Sequence, residues 1–177
     1  MRVIAGKLGG LKFQSPQTDH THPMSEKIRG AIFNALGDIE GLSVLDVFAG
    51  SGALSIEAIS RGALSAVAID SDRKALETIK SNANNLDIDG QLRVVGGSVS
   101  TWLADNDQEF DIVLMDPPYD HVDVSVIEQI AHRAKPAGIV IISLPISITL
   151  ELAESFELLS SKTYGTAKLV FYRKKIA

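Results

Sequence analysis

Two stretches of this sequence hold residue types that can do chemistry at the spacing where they stand. The first is Asp116-Pro117-Pro118-Tyr119, directly after the apolar run Ile112-Val113-Leu114-Met115. Prolines fix φ and have no N–H to donate, so the Pro117 carbonyl is rigidly aimed. That carbonyl and the Asp116 carboxylate can both accept hydrogen bonds from one exocyclic NH₂, and the Tyr119 ring can stack on the base that carries it. An aryl amine is a poor nucleophile because its lone pair is delocalised into the ring. Two acceptors on its hydrogens orient and localise that lone pair toward an electrophilic methyl, so positioning and electrostatics carry the catalysis. The plainer alternative is a loop after a strand, with Tyr119 simply packed.

The second stretch is Val44-Leu45-Asp46-Val47-Phe48-Ala49-Gly50-Ser51-Gly52. Its apolar start reads as a strand buried on both faces. The Ala-Gly-Ser-Gly turn then leads into a helical segment, Ala53 to Arg61. Gly50 and Gly52 allow close approach of backbone to a ligand, and the new helix presents unpaired N–H groups at the turn. A phosphate cradle is one reading of such a turn. Two features oppose it: Ser55 stands where a Gly-x-Gly-x-x-Gly signature has its third glycine, and Asp46 would repel a pyrophosphate. A cationic, phosphate-free nucleoside suits the acid better. S-adenosylmethionine, with an amino group and a sulfonium, is such a molecule. Asp70 lies 18 residues after Gly52, about where a ribose-binding acid is expected. With Ser71 and Asp72 it can equally cap the next helix.

These residues need a scaffold that brings strand ends together. Ala66 to Asp70, Leu92 to Val95, Ile112 to Met115 and Ile139 to Ile142 are apolar runs, and amphipathic segments separate them. One helix carries Leu76, Ile79, Ala83 and Leu86; another carries Val124, Ile127, Ala131 and Ala134; a short one spans about Val99 to Ala104. That alternation predicts an α/β fold, a mostly parallel Rossmann-like sheet covered by helices on both faces. Phe156 to Thr163 and Thr166 to Arg173 flank a turn at Tyr164-Gly165, which predicts an antiparallel strand at the C-terminus. Ligands of such sheets sit outside the carboxyl ends of the strands, where Asp46, Asp70, Ser98 and Asp116 all fall. Ahead of the sheet, residues 1–14 suggest a short hairpin, 15–23 a loop, and Ser25 caps a helix from Glu26 to about Leu36. We therefore expect an N-terminal extension, 1–24, on one globular domain, 25–177.

At 177 residues the chain suits one domain, and its 45% hydrophobic, 22% charged composition is that of an ordinary globular protein. Cysteine is absent, which excludes disulfides and thiolate metal sites and fits a cytoplasmic protein. The four histidines lack metal-ligand spacing, and no metal is expected. Nothing reads as a signal peptide or a membrane span. Net charge is −5 but uneven: residues 1–30 carry +3, residues 162–177 carry +5 and the body carries −13. If the two ends share a face they form a phosphate-facing strip; otherwise they are solvated ends. Arg2, Lys7, Lys12, Arg29, Lys168 and Arg173 are the candidate nucleic-acid contacts, RNA if the resemblance below holds. Tyr164, Phe171 and Tyr172, interleaved with Lys168, Arg173 and Lys174, resemble a nucleic-acid surface, although strand alternation buries at least Leu169 and Phe171. Trp102 is assigned to packing, while His121 can line the base pocket or simply belong to its loop.

Asp46 to Gly52 together with Asp116-Pro-Pro-Tyr119 resembles the S-adenosylmethionine-dependent amino-methyltransferases. Met1 to Lys7, His22 to Asn34, Ile59 to Ala63, and Tyr164-Gly165 with Phe171-Tyr172-Arg173 resemble the RsmD family more closely, over essentially the whole chain. That resemblance implies methylation of the exocyclic N2 of one guanine in 16S ribosomal RNA, on small-subunit particles, by a protein expected here to be a monomer. It also implies cofactor positions at Asp46, Phe48, Gly50, Ser51, Gly52, Asp70 and Ser98, with the adjoining Ala49 and Ser71, and a target-base site at Asp116, Pro117, Pro118 and Tyr119. The chain departs from the family at His22-Pro23-Met24, usually Arg-Pro-Thr, and at Ser98, usually an acid that holds the adenine amino group. Asp-Pro-Pro-Tyr alone does not separate guanine N2 from adenine N6 or cytosine N4. A DNA adenine-N6 methyltransferase is thus the alternative enzyme. A nicotinamide-dependent oxidoreductase is disfavoured by Asp46 and the missing third glycine, and an RNA-binding protein without activity by the intact Asp116–Tyr119 stretch.

Overall fold

The computed structural model describes residues 1–16, 24–120 and 122–176. His22, Pro23 and His121, and most of the expected 15–23 loop, lie outside the described residues. The elements alternate as α1 (Glu26–Leu36), β1 (Ser43–Val47), α2 (Ala53–Ser60), β2 (Ser65–Asp70), α3 (Arg73–Asn85), β3 (Leu92–Gly96), α4 (Val99–Asp105), β4 (Phe110–Met115), α5 (Val124–Ala131), β5 (Ala134–Pro145), β6 (Phe156–Tyr164) and β7 (Ala167–Lys174). Local chemistry sets several boundaries. The Ser25 hydroxyl accepts from the Ile28 N–H to open α1, and Gly37, at φ 74°, ends it. Asp72 and Asp123 open α3 and α5 in the same way.

The seven strands form one sheet in the order β3-β2-β1-β4-β5-β7-β6. Strands β1 to β5 pair in parallel, and β7 runs antiparallel to both its neighbours. The chain winds outward in both directions from β1 and β4, so the switch in strand order falls between these two. A crevice opens there at the carboxyl ends. Each face of the sheet carries its own apolar core. Val44, Ala68, Leu114 and Ile141 pack with α1, α2 and α3, while Leu45, Ile69, Met115 and Ile142 pack with α4 and α5.

Every residue of α2 is buried: its apolar residues enter the core, and Ser55, Glu57 and Ser60 each find a hydrogen-bond partner there. The N-terminal segment helps to cover it. Glu57 of α2 accepts from the Ile4 and Ala5 N–H groups at 2.8 and 3.1 Å. A Cβ on Gly6 would lie 1.9 Å from the Ser60 carbonyl oxygen, so only glycine allows that approach. Arg2 and Lys12 form the one bridge of the expected N-terminal hairpin.

Two expectations are corrected here. Ala134 belongs to β5, not to the helix before it: α5 ends at Ala131, and Ala134 pairs with Phe110 of β4. A three-residue step from Ala131 fits a helix and a new strand alike. Tyr172 does not face outward as part of a nucleic-acid surface, and Phe171 is buried as strand alternation requires. β7 is flanked on both edges and covered on both faces, so both rings are buried and the Tyr172 hydroxyl donates to the Leu150 carbonyl at 2.8 Å.

Candidate active site

Strand parity gathers the polar residues on one side of the sheet. Val44 faces α1–α3, whereas Leu45 and Val47 face α4 and α5, so Asp46 shares Val44's side. By the same count Asp70 follows Ala68, Asp116 follows Leu114 and Ser143 follows Ile141. Asp46 is paired with Ala68 and with Leu114, which sets Asp70 and Asp116 two residues above it on either side. Met115 pairs with Ile142, which brings Ser143 level with Asp116. Three carboxylates and one hydroxyl thus share one edge of the β1–β4 switch.

Asp46 is 1% exposed. Its Oδ2 accepts from the Ser55 N–H at 3.0 Å and from the Ser55 hydroxyl at 2.6 Å. Gly52 opens α2 but has no side chain to cap it, and Asp46 supplies the missing acceptor from the neighbouring strand. Its other oxygen, Oδ1, is buried with no partner among the described residues. Burial, helped by the charges of Asp116 and Asp70, drives the Asp46 carboxyl up to about 7 against the two Ser55 hydrogen bonds. A partnerless anionic oxygen facing two more acids suits a cationic, hydrogen-donating ligand.

The turn that follows is held in unusual backbone conformations. Phe48 has φ 64°, a left-handed conformation that costs a non-glycine residue energy. Gly52 has φ 73°, and a Cβ there would stand 3.1 Å from two carbons of Ile79. Its glycine requirement therefore comes from its own backbone and from Ile79, in addition to the ligand approach expected from sequence. Ala49 and Ser51 are buried in the turn.

Asp70 accepts from the Gly50 N–H at 2.7 Å and from the Asp72 N–H at 2.8 Å, which ties the glycine turn to the end of β2. Capping of α3 falls to Asp72, which accepts from the Ala75 N–H at 2.9 Å. Ser71 is exposed between them. Ser98 stands exposed at the end of β3, where its hydroxyl caps α4 by accepting from the Thr101 N–H at 3.1 Å.

Across the switch, Asp116 is raised to about 6, chiefly by burial, with a hydrogen bond from Ser143 opposing the rise. Pro117 is buried and Pro118 exposed. Tyr119 is 40% exposed, yet its hydroxyl lies 2.8 Å from the Ser143 Oγ. Ser143 escaped the sequence reading. A single serine within Ile139-Val-Ile-Ile-Ser143-Leu has no spacing signature; the signal that could have found it is its position just past the strand segment that pairs with β4.

The candidate RNA contacts do not come together. Arg29 is corrected outright: it is fully buried, its Nη2 donates to the Arg2 carbonyl at 2.6 Å and its Nε lies 3.5 Å from Glu57, which also pairs with Arg61. Arg2 is exposed beside Glu26, and Lys12 is exposed. The Lys7 Nζ donates to Gln91, at the amino end of β3. Because β7 runs antiparallel to β5, Lys168 lies near the carboxyl ends and Arg173 near the amino ends. A groove of about 670 Å³ lies away from the acids, between the N-terminal segment and α3, lined by Phe13, Gln14, Lys74 and Thr78 among others. Asn82 of α3 connects the two regions: its side chain bonds the Gln14 backbone at 2.9 Å on both sides and reaches the Ser51 carbonyl at 3.5 Å. Trp102 packs on Phe110 with ring centroids 6.3 Å apart, in line with a core role.

Known proteins share both sequence and fold with this chain. Ribosomal RNA small subunit methyltransferase D of Escherichia coli (strain K12) is 36% identical over 120 residues, an alignment covering 67% of this chain and 60% of that protein. The protein of the same name from Haemophilus influenzae is 28% identical over 181 residues, 98% of this chain and 93% of its own length. The solved structure of yhhF, a candidate methyltransferase of Escherichia coli, superposes with a TM-score of 0.89 at 27% identity and covers 100% of this chain and 99% of that one. The family model described as conserved hypothetical protein 95 matches residues 1–173. The chain belongs to that family, the RsmD-type ribosomal RNA methyltransferases.

Proposed function

We propose that this protein transfers a methyl group from S-adenosylmethionine to the exocyclic N2 of a guanine in 16S ribosomal RNA of the small subunit. The observation that carries the reading is the pair of acids facing each other across the β1–β4 switch: Asp46 with its partnerless Oδ1 on one side, Asp116 with the half-exposed Tyr119 on the other. Asp46 would hold the cofactor's ammonium, Asp70 its ribose, and the Phe48–Gly52 turn its methionine end; Ser71 and Ser98 border the adenine side. When bound, S-adenosylmethionine supplies a methyl on a sulfonium, which leaves as a neutral thioether.

The chain's own residues do the rest. Asp116 and the Pro117 carbonyl accept the two amine hydrogens and so turn the lone pair toward the methyl. Asp116, raised only to about 6, is ionised at neutral pH and can take the proton that the methylated amine loses. Tyr119 stacks on an unstacked base, and Lys168 meets RNA phosphate at the same edge, making binding dependent on salt. The names of the relatives support an RNA acceptor; no observation favours a DNA adenine acceptor. The test compares methyl transfer to small subunits, naked 16S RNA and duplex DNA. Transfer to ribosomal RNA alone supports the reading, and transfer to duplex DNA alone rejects it.

A further inference from the structure

Asn82 stands on the core face of α3, one turn after Ile79, and is 1% exposed. Asparagine is a poor helix former, and burying its amide is costly unless both ends find partners. Here both do. The Gln14 N–H donates to Oδ1 at 2.9 Å, and Nδ2 donates to the Gln14 carbonyl at 2.9 Å. The amide thus meets the Gln14 backbone as a neighbouring strand would, and this pairing fixes which end of the amide is oxygen. The second Nδ2 hydrogen is left for the Ser51 carbonyl, 3.5 Å away. That carbonyl needs a donor because Ser51 is buried. The helical pattern would give it the Ser55 N–H, but Ser55 donates to Asp46 instead, and Ile56 bonds to Gly52. Among the described residues Asn82 is the one donor that reaches it. One side chain therefore holds both the glycine turn and the end of the N-terminal segment, whose earlier residues dock on α2 through Glu57 and Ser60.

We propose that Asn82 is a positioning residue for cofactor binding, through which the glycine turn and the N-terminal segment settle together. The inference rests on the proposed binding of S-adenosylmethionine at that turn. An occupied turn holds the Ser51 carbonyl still, which keeps the Asn82 amide in the one orientation that also pairs with Gln14. By linkage, docking of the segment favours cofactor binding by the same factor that cofactor binding favours docking. Asp116 and Tyr119 stand across the β1–β4 switch, so the effect falls on binding and not on the methyl step.

Asn82→Ala and wild type are compared by calorimetry of S-adenosylmethionine binding, by kcat and cofactor KM on small subunits, and by amide exchange with and without cofactor. In Asn82→Ala affinity should fall ~10-fold, the size of one hydrogen bond lost from a buried carbonyl. The cofactor KM should rise to match, with kcat kept within about threefold. In wild type, cofactor should slow exchange at Val3 and Phe13, whose N–H groups bond within the N-terminal segment. The slowing there should exceed that along β6, a free edge of the sheet that reports the general gain in stability. In Asn82→Ala at saturating cofactor that excess should vanish. Wild type carries this test even if the variant does not fold: equal slowing at Val3, Phe13 and β6 overturns the inference. A folded Asn82→Ala that binds cofactor within about twofold of wild type overturns it too. If wild type binds no S-adenosylmethionine, the proposed function fails, and exchange at the Gly52 amide, bonded to the Ala49 carbonyl across the turn, decides the role of Asn82. That exchange should be faster in cofactor-free Asn82→Ala than in wild type, and an unchanged rate overturns the inference.

Discussion

Replacing Asp46 by asparagine should make the stability of this protein respond differently to pH, and the size follows from the site. Asp46 is buried, one oxygen bonded twice by Ser55 and the other without a partner, and its carboxyl is raised to about 7. An unfolded aspartate titrates near ~3.9, so between these values the folded chain holds a proton that the unfolded chain has released. Folding is therefore penalised progressively as pH rises from about 4 to about 7, and the penalty is absent below that window and complete above it. Between pH 5 and pH 8 the penalty grows by roughly 2–3 kcal/mol. Asparagine keeps the acceptor for Ser55 and never ionises, but its buried amide costs ~1–3 kcal/mol at every pH. The variant should thus be no more stable than wild type at pH 5 and should gain on it by roughly 2–3 kcal/mol, or about 5–10 °C in Tm, by pH 8. Asp116 is coupled to Asp46 through its charge, so the comparison reads Asp46 together with any change it causes in Asp116. Thermal unfolding without cofactor at pH 5, 6.5 and 8 measures this, and calorimetry with S-adenosylmethionine should show the variant's affinity reduced. A stability difference that is the same at pH 5 and pH 8 would refute the argument.

Three further substitutions probe other parts of the account. Arg29→Leu leaves Glu57 short of one buried partner and should cost roughly 3 kcal/mol in denaturant unfolding, with amide exchange at Ile4 and Ala5 accelerated; the salt slope of RNA binding should not change, since Arg29 is fully buried. Gly52→Ala meets both a left-handed backbone and the Ile79 side chain, so ~1–2 kcal/mol of stability and most cofactor affinity should be lost, read by thermal unfolding and calorimetry. Ser98→Ala removes the α4 cap and should cost ~1 kcal/mol in the same unfolding assay.

The residues of the site were readable wherever their meaning is local. Buried parallel strands show as short apolar runs, and an acid closing such a run lies at a strand end whatever the rest of the fold does. Asp70 and Asp116 were found in that way, and Asp46 by standing inside the apolar run that leads into the glycine turn. What could not be read depends on contacts between distant segments. Ser143 matters because β5 pairs beside β4 in one register, and nothing within its own strand signals that. Arg29 looked like a surface cation on an amphipathic helix; its burial follows from Glu57 on another helix and from the N-terminal segment laid over both. The two basic ends form one strip only if they share a face, but β7 crosses the sheet and carries Lys168 and Arg173 to its opposite ends. Burial on both faces of β7 follows from its place between β5 and β6, whereas alternation within β7 accounts for one face only.

Tritiated methyl transfer from S-adenosylmethionine to small ribosomal subunits prepared from cells lacking this gene reads the acceptor and the role of Asp116 together. Wild type and Asp116→Asn are run side by side, and the RNA is digested to nucleosides. The expected product is N2-methylguanine at one position of 16S RNA, with the rate reduced ~100-fold or more in Asp116→Asn while cofactor affinity is retained. Methyl recovered on a different base, or an Asp116→Asn variant as active as wild type, would contradict it.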